Sequence, residues 1–214
     1  MIQANTAKEA WAMALQHIRS EGLRYLDVRK RTCIEVLNLA VQVEAPEDHI
    51  TAPIEILQGI KEWSYPSLTE IAEVMLSKNK NYSYGYSYGT RIFDHEGIDQ
   101  VNDYLIPLLK KDPMSRRAVL TLFDPHKDAS PYASDVPGMV SIDLKIRKKC
   151  LHMTACIRSN DMFIGWPANI YQLFVLQEYI ASRLECGQGP ITTISMSAHI
   201  FKDHLPFIAQ IIKG

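Results

Sequence analysis

The stretch Ile157–Leu173, IRSNDMFIGWPANIYQL, decides how the chain is read. A cation, a hydroxyl, an amide and a carboxylate (Arg158, Ser159, Asn160, Asp161) run directly into Gly165, Trp166 and Pro167. Asn169 then heads an apolar segment. Arg158–Ser159 suits an anion, because a guanidinium fork gives paired, charge-assisted hydrogen bonds to phosphate. Asn169 has two readings. Its amide, with donor and acceptor side by side, can read the edge of a base, or the residue opens a helix after Pro167. Asp161 either pairs with Arg158 or caps the turn that follows.

Outward from this stretch the chain alternates strand and helix patterns. NIYQLFVLQEYIASRLE follows as the longest helix, and GPITTISMSAHIF as a last strand. Upstream, MVSIDLKIRKKCLHMTACIR reads as two strands joined by a basic turn at Arg147–Lys149, and SRRAVLTLFDP as a strand with two arginines at its mouth. GIDQVNDYLIPLLKK predicts a helix, irregular around Pro107. Leu68–Leu76 predicts another, IEVLNLAVQVEAP a strand stopped at Pro46, and residues 7–20 a helix ending near Gly22. No linker or repeat interrupts the 214 residues, so we expect one domain over 1–214. The mix predicts an α/β (α+β two-layer) fold with a sheet covered by helices.

A formal charge of −1 excludes a global field for a nucleic acid polymer or a membrane, so bound anions fall to local arginines. Besides Arg158–Ser159, Ser115–Arg116–Arg117 and the basic turn DVRKRT at 27–32 are candidates. Each taken alone also fits a solvated surface pair. His199 reads as a core histidine. The aromatic run 82–89 fits either a ligand wall or a glycine-hinged strand. The four cysteines form no metal pattern, and Cys150 and Cys156 read as reduced core residues. Together with the lack of a long apolar N-terminal run, this predicts a cytoplasmic protein without a metal.

RSNDMFIGWPANIYQL resembles the RS-x-D-x-x-x-G-x-P-x-N-I motif of the thymidylate synthase family. YGYSYGTRI, IDQVNDYLIPLLKKDPMSRRAVLTLFDP and SMSAHIFKDH are similar to further segments of that family, in the same order, over roughly residues 20–205. WPANIYQL looks most like the compact archaeal-type members and the nucleotide hydroxymethylases. The resemblance implies a twisted mixed sheet, a sheet-to-sheet homodimer, and one-carbon transfer from 5,10-methylenetetrahydrofolate to the base of a nucleoside 5′-monophosphate. It implies that Arg158 and Ser159 hold the phosphate, that Arg116 and Arg117 reach it from the other subunit, and that Arg31 (or Arg29) completes the clamp. Asn169 would bond the base, Asp161 would hold the hydrogen-bond network beside it, Gly165 would let the backbone approach the ligand, and His199 would face the sugar.

Two positions depart from the pattern. The family nucleophile is a cysteine after proline, about twenty residues before the Arg-Ser pair; here Pro137 is followed by Gly138. A thiolate splits one difficult barrier into two, and glycine has no side chain for that. Gly138 therefore implies an engineered inactivation, a substrate that needs no thiolate, or a binding protein that has lost catalysis. A fold-only relative that binds no nucleotide would show no dependence on a 5′-phosphate. Phe201 stands where the family usually carries Tyr, which leaves the sugar preference open, and Glu70 is the candidate for the folate-side glutamate.

Overall fold

The computed structural model describes residues 1–79, 86–133 and 135–212. The chain opens with β1 (Ile2–Ala4) and α1 (Ala7–Glu21). Thr6 and Glu9 form a reciprocal cap at the start of α1. Ala7, Ala10, Trp11, Ala14, Leu15 and Ile18 make its buried stripe. The short β2 (Leu23–Leu26) is exposed along its length and precedes the long β3 (Thr32–Val43). Helices α2 (Ala52–Gln58), α3 (Leu68–Leu76) and α4 (Tyr88–Phe93) follow. The predicted irregular helix is a π-helical turn, Gln100–Leu105, running into α5 (Ile106–Lys111) at Pro107.

Of the predicted strand SRRAVLTLFDP, only Val119–Thr121 (β4) pairs in the ladder; Leu122 and Phe123 both donate to the Val140 carbonyl. After α6 (Pro125–Asp128) comes the predicted hairpin, β5 (Met139–Arg147) and β6 (Cys150–Ile157). Lys148 and Lys149 turn it with positive φ, as a two-residue hairpin loop of this twist requires. Then come β7 (Asn160–Asp161), α7 (Gly165–Leu184), β8 (Gly187–Phe201) and α8 (Leu205–Ile211). Helix α7 begins four residues before the predicted NIYQL start. Pro167 is tolerated because the first-turn N–H groups have no partner within the helix.

Among the described residues one mixed sheet of eight strands results, in the order β1-β3-β8-β6-β5-β4, with β2 added to β3 and β7 to β8. One face carries the core. On β6, Leu151, Met153, Ala155 and Ile157 are buried, whereas Cys150, His152, Thr154 and Cys156 point the other way and stay half-exposed. This corrects the core reading of Cys150 and Cys156: the alternation was right, but their face is the uncovered one. Cys33 is the buried cysteine, and all four are free thiols.

The inward face changes parity partway along β3, β8 and β5. On β3, Ile34 is buried and Val36 packs against the core, then Leu39, Val41 and Val43 are buried; Asn38 sits at the switch with φ 58°. On β8, Ala198 and Ile200 face in above Met196, but Ile191, Thr193 and Ser195 below it. On β5, the register shifts between Met139 and Ser141. On β5 the extra residue is a bulge that flips the following side chains, whereas β3 and β8 keep one register through the switch and turn over together at Asn38 and Met196. Beyond the kink, Glu35, His199 and Phe201 therefore point away from the helices, with Asp161 paired to His199. Among the described residues no helix is long and apolar enough to cross a membrane.

Candidate active site

β6 runs beside β8 up to Ile157, and β7 resumes beside β8 at Asn160. Arg158 and Ser159 occupy the break, so both are exposed. The Arg158 N–H donates to the Gly138 carbonyl at 2.8 Å. Its side chain donates through Nε to Pro137 (3.0 Å) and through Nη2 to Val136 (2.8 Å). Two of the five guanidinium donors anchor the loop before β5, leaving the others for an anion.

Gly138 thus lies against Arg158. Its backbone is not left-handed, and a Cβ there would meet only the Tyr88 hydroxyl at 3.4 Å and the Ser159 carbonyl at 3.5 Å, ordinary contacts. The fold does not require glycine at this position. The Met139 N–H donates to the Tyr88 hydroxyl (3.2 Å), and the Tyr86 hydroxyl lies beside the Gly138 amide. Burial pushes both phenols above the ordinary tyrosine value, so both stay protonated. Of the aromatic run 82–89, residues 82–85 lie outside the described residues. Ser87 caps α4, while Tyr86 and Tyr88 stand against the Gly138–Met139 backbone.

Asp161 caps its own turn, accepting from the Phe163 (2.9 Å) and Ile164 (3.2 Å) N–H groups; it does not pair with Arg158. Asn169 lies inside α7 and is not its cap. Its Nδ2 donates to Asn160 Oδ1 (3.1 Å), and buried Asn160 donates to Ser195 Oγ (3.0 Å). The sequence reading missed Asn160, whose amide joins Asn169 to the sheet. Gly165 opens α7, where a Cβ would sit 3.5 Å from that of Asp161, so the protein itself leaves room for a side chain.

His199 is half-buried on the uncovered face, which corrects its reading as a core histidine; Asp161 stands level with it on β7 and Glu35 on β3. Phe201, two residues on, carries the Arg31 guanidinium 3.7 Å above its ring. Arg31 also pairs with Asp203 at 3.1 Å. Asp203 is largely exposed and Arg31 partly so, so the pair holds the arginine by about 1 kcal/mol at most and releases it to a stronger anion. The backbone N–H groups of Arg29 and Arg31 are held by Asp27.

Arg116 and Arg117 stand elsewhere. Val119 is level with Asp143 and the Ala118 carbonyl bonds the Leu144 N–H, so Arg117 falls near Lys145. Gly138 lies seven residues back along β5, about 20 Å away at the rise of a strand. Both arginines are exposed, and in one chain they do not join Arg158.

An aromatic wall borders Asp161. Trp63, Phe163, Phe201, Phe207 and His204 pack with ring centroids 4.8–6.4 Å apart. Trp63 Nε1 and His204 Nδ1 are buried there without hydrogen-bond partners. Burial holds the His204 imidazole below its ordinary value. Phe207 also lines a cavity of about 380 Å³ with Ile60 and Ile211. Glu70 is spent on the α3 cap, bonding the Ser67 N–H and hydroxyl. No cluster of three or more His, Cys, Asp or Glu among the described residues is arranged to hold a metal.

Comparison with known proteins agrees with this geometry. The family model for thymidylate synthase matches residues 49–213. A Methanosarcina barkeri protein described as "Putative thymidylate synthase" is 35% identical over 216 residues, covering all of this chain and 95% of its own. A Methanothermobacter marburgensis protein of the same description is 32% identical, covering all of this chain and 98% of its own. The solved structure of thermostable thymidylate synthase A from Bacillus subtilis superposes with a TM-score of 0.69 at 20% identity, over 97% of this chain and 84% of that one. With a family match across most of its length and full-length relatives above 30% identity, the chain belongs to the thymidylate synthase family.

Proposed function

We propose that this protein transfers a one-carbon unit from 5,10-methylenetetrahydrofolate to the base of a nucleoside 5′-monophosphate without a cysteine nucleophile. The observation that carries the reading is the clasp between Arg158 and Gly138, which sets an arginine–serine pair beside a glycine where the family carries its cysteine. Arg158, Ser159 and Arg31 bind the phosphate. Arg116 and Arg117 of the partner subunit complete the clamp, since in one chain they lie about 20 Å from it. The uncovered sheet face, bearing exposed Leu37 and Met196, suits a sheet-to-sheet homodimer.

Asn169, steadied through Asn160, orients the ring. Asp161 and His199 hold ordered water for proton transfer at the base. The aromatic wall with its two unpartnered ring nitrogens, Trp63 Nε1 and His204 Nδ1, fits a flat heteroaromatic such as the pterin of folate. Bound there, the folate supplies a carbon at the methylene level. Methyl and hydroxymethyl products are both open to this arrangement. The protein acts as one domain over residues 1–214, and its four free thiols suit a cytoplasmic setting.

One observation favours a second reading. The space at Gly138 admits a Cβ, as expected of a site that once held, or was stripped of, a cysteine. The protein then binds nucleotide without turnover. Incubation with isotope-labelled methylenetetrahydrofolate and uridylate, cytidylate or guanylate, in ribo and deoxy forms, separates the two. Label entering a nucleotide supports transfer. Tight binding without label, with turnover appearing in Gly138→Cys, supports the second reading. Affinity that ignores removal of the 5′-phosphate overturns both.

A further inference from the structure

Glu35 is a carboxylate on the site face that the family pattern did not bring forward. It stands level with His199 across the β3–β8 pair, while Asp161 flanks the histidine from β7. The half-buried carboxylate accepts from the Ser197 hydroxyl and from the Tyr25 hydroxyl (3.2 Å). Among the described residues it has no lysine or arginine partner; the nearby Arg31 is taken by Asp203. His199 Nδ1 is buried and finds no partner. Phe201, next on this face, offers no hydroxyl.

An ionised carboxylate only accepts hydrogen bonds, and an imidazole offers one donor and one acceptor. Side by side, next to an apolar ring, they recognise adjacent hydroxyl groups. A vicinal diol donates to the carboxylate and exchanges a bond with the imidazole. A sugar lacking one hydroxyl leaves a half-buried carboxylate oxygen unsatisfied, and discrimination of that kind is strong. We infer that Glu35 binds the ribose 2′-hydroxyl, so that this site takes ribonucleoside monophosphates in preference to deoxyribonucleoside monophosphates. The inference rests on the mononucleotide reading above.

Calorimetric titration of the full chain with uridine, cytidine and guanosine 5′-monophosphates and their 2′-deoxy counterparts tests it. Whichever base binds, the ribonucleotide should bind at least about tenfold tighter than its deoxy form. Glu35→Gln keeps size and fold. It should weaken the ribonucleotide selectively, bringing the two sugars within about threefold while deoxyribonucleotide affinity holds. Equal affinity of the wild type for both sugars, or equal weakening of both by Glu35→Gln, overturns the proposal and leaves the mononucleotide site standing. Failure of all six to bind removes both.

Discussion

If the phosphate clamp is built from two chains, two inactive variants should repair each other. Arg158→Ala removes the guanidinium on the β6–β7 break, and Arg117→Ala removes one at the far end of β4. Along the β4–β5 ladder the two residues' backbones lie about 20 Å apart in one chain, which leaves two extended arginines little overlap at one phosphate. Each side chain supplies a charge-assisted bond worth about 1.5–3 kcal/mol. Each variant alone should therefore bind a ribonucleoside monophosphate about ten- to one-hundred-fold more weakly. Random reassociation of equal amounts gives about half heterodimers, each with one intact site and one doubly damaged, so about a quarter of all sites recover full affinity. Titration stoichiometry of the unmixed and mixed variants reads this directly. Melting temperatures check that Arg158→Ala, which also frees the Val136 and Pro137 carbonyls, still folds. A mixture with no tight sites, a chain that stays monomeric, or an Arg117→Ala variant of unchanged affinity refutes the shared clamp.

Gly138→Cys should shift stability by no more than about 1 kcal/mol, since lost unfolded-state freedom offsets mild crowding; a melting temperature lowered by more than about 5 °C would show that the pocket has no room. Asp128→Ala strips the buried Arg91 guanidinium of its 2.7 Å partner. This should cost about 3–5 kcal/mol, visible as a fall of roughly 10 °C in thermal melting; a shift under 2 °C would place that arginine in contact with water. His204 has a folded pKa held below its ordinary value of 6.5 by burial. The unfolded chain therefore takes up the proton first, and this contribution is full above the unfolded pKa and declines as pH falls through it. Denaturant midpoints at pH 7.5 and 5.5 should differ less in His204→Phe than in the wild type, and an identical difference would remove His204 from the acid response.

Much of the framework was legible because it is local. The apolar spacing in Leu68–Leu76, the α1 stripe, the β5–β6 hairpin and the break at Pro107 are each decided within a few residues. The Arg158–Asn169 stretch carried the family resemblance in the same way, through residue types at fixed spacing. What stayed hidden depends on register and on contacts far apart in sequence. Alternation in β6 separates two faces but does not say which one the helices cover, so Cys150 and Cys156 were assigned to the wrong one. A bulge on β5 and the joint turn-over of β3 and β8 at Asn38 and Met196 reverse the inward parity, which a regular alternation along one strand does not foretell. That reversal turns Glu35 and His199 to the same side as Asp161. The Arg31 guanidinium on the Phe201 ring, the Asn169–Asn160–Ser195 chain and the Tyr86 and Tyr88 contacts of Gly138 and Met139 join residues from 9 to 170 positions apart with no shared periodicity. Sequence thus determined the elements and the family to which the chain belongs. The tertiary structure decided which face each side chain serves and which groups meet, because both follow from strand register and packing, which no local pattern encodes.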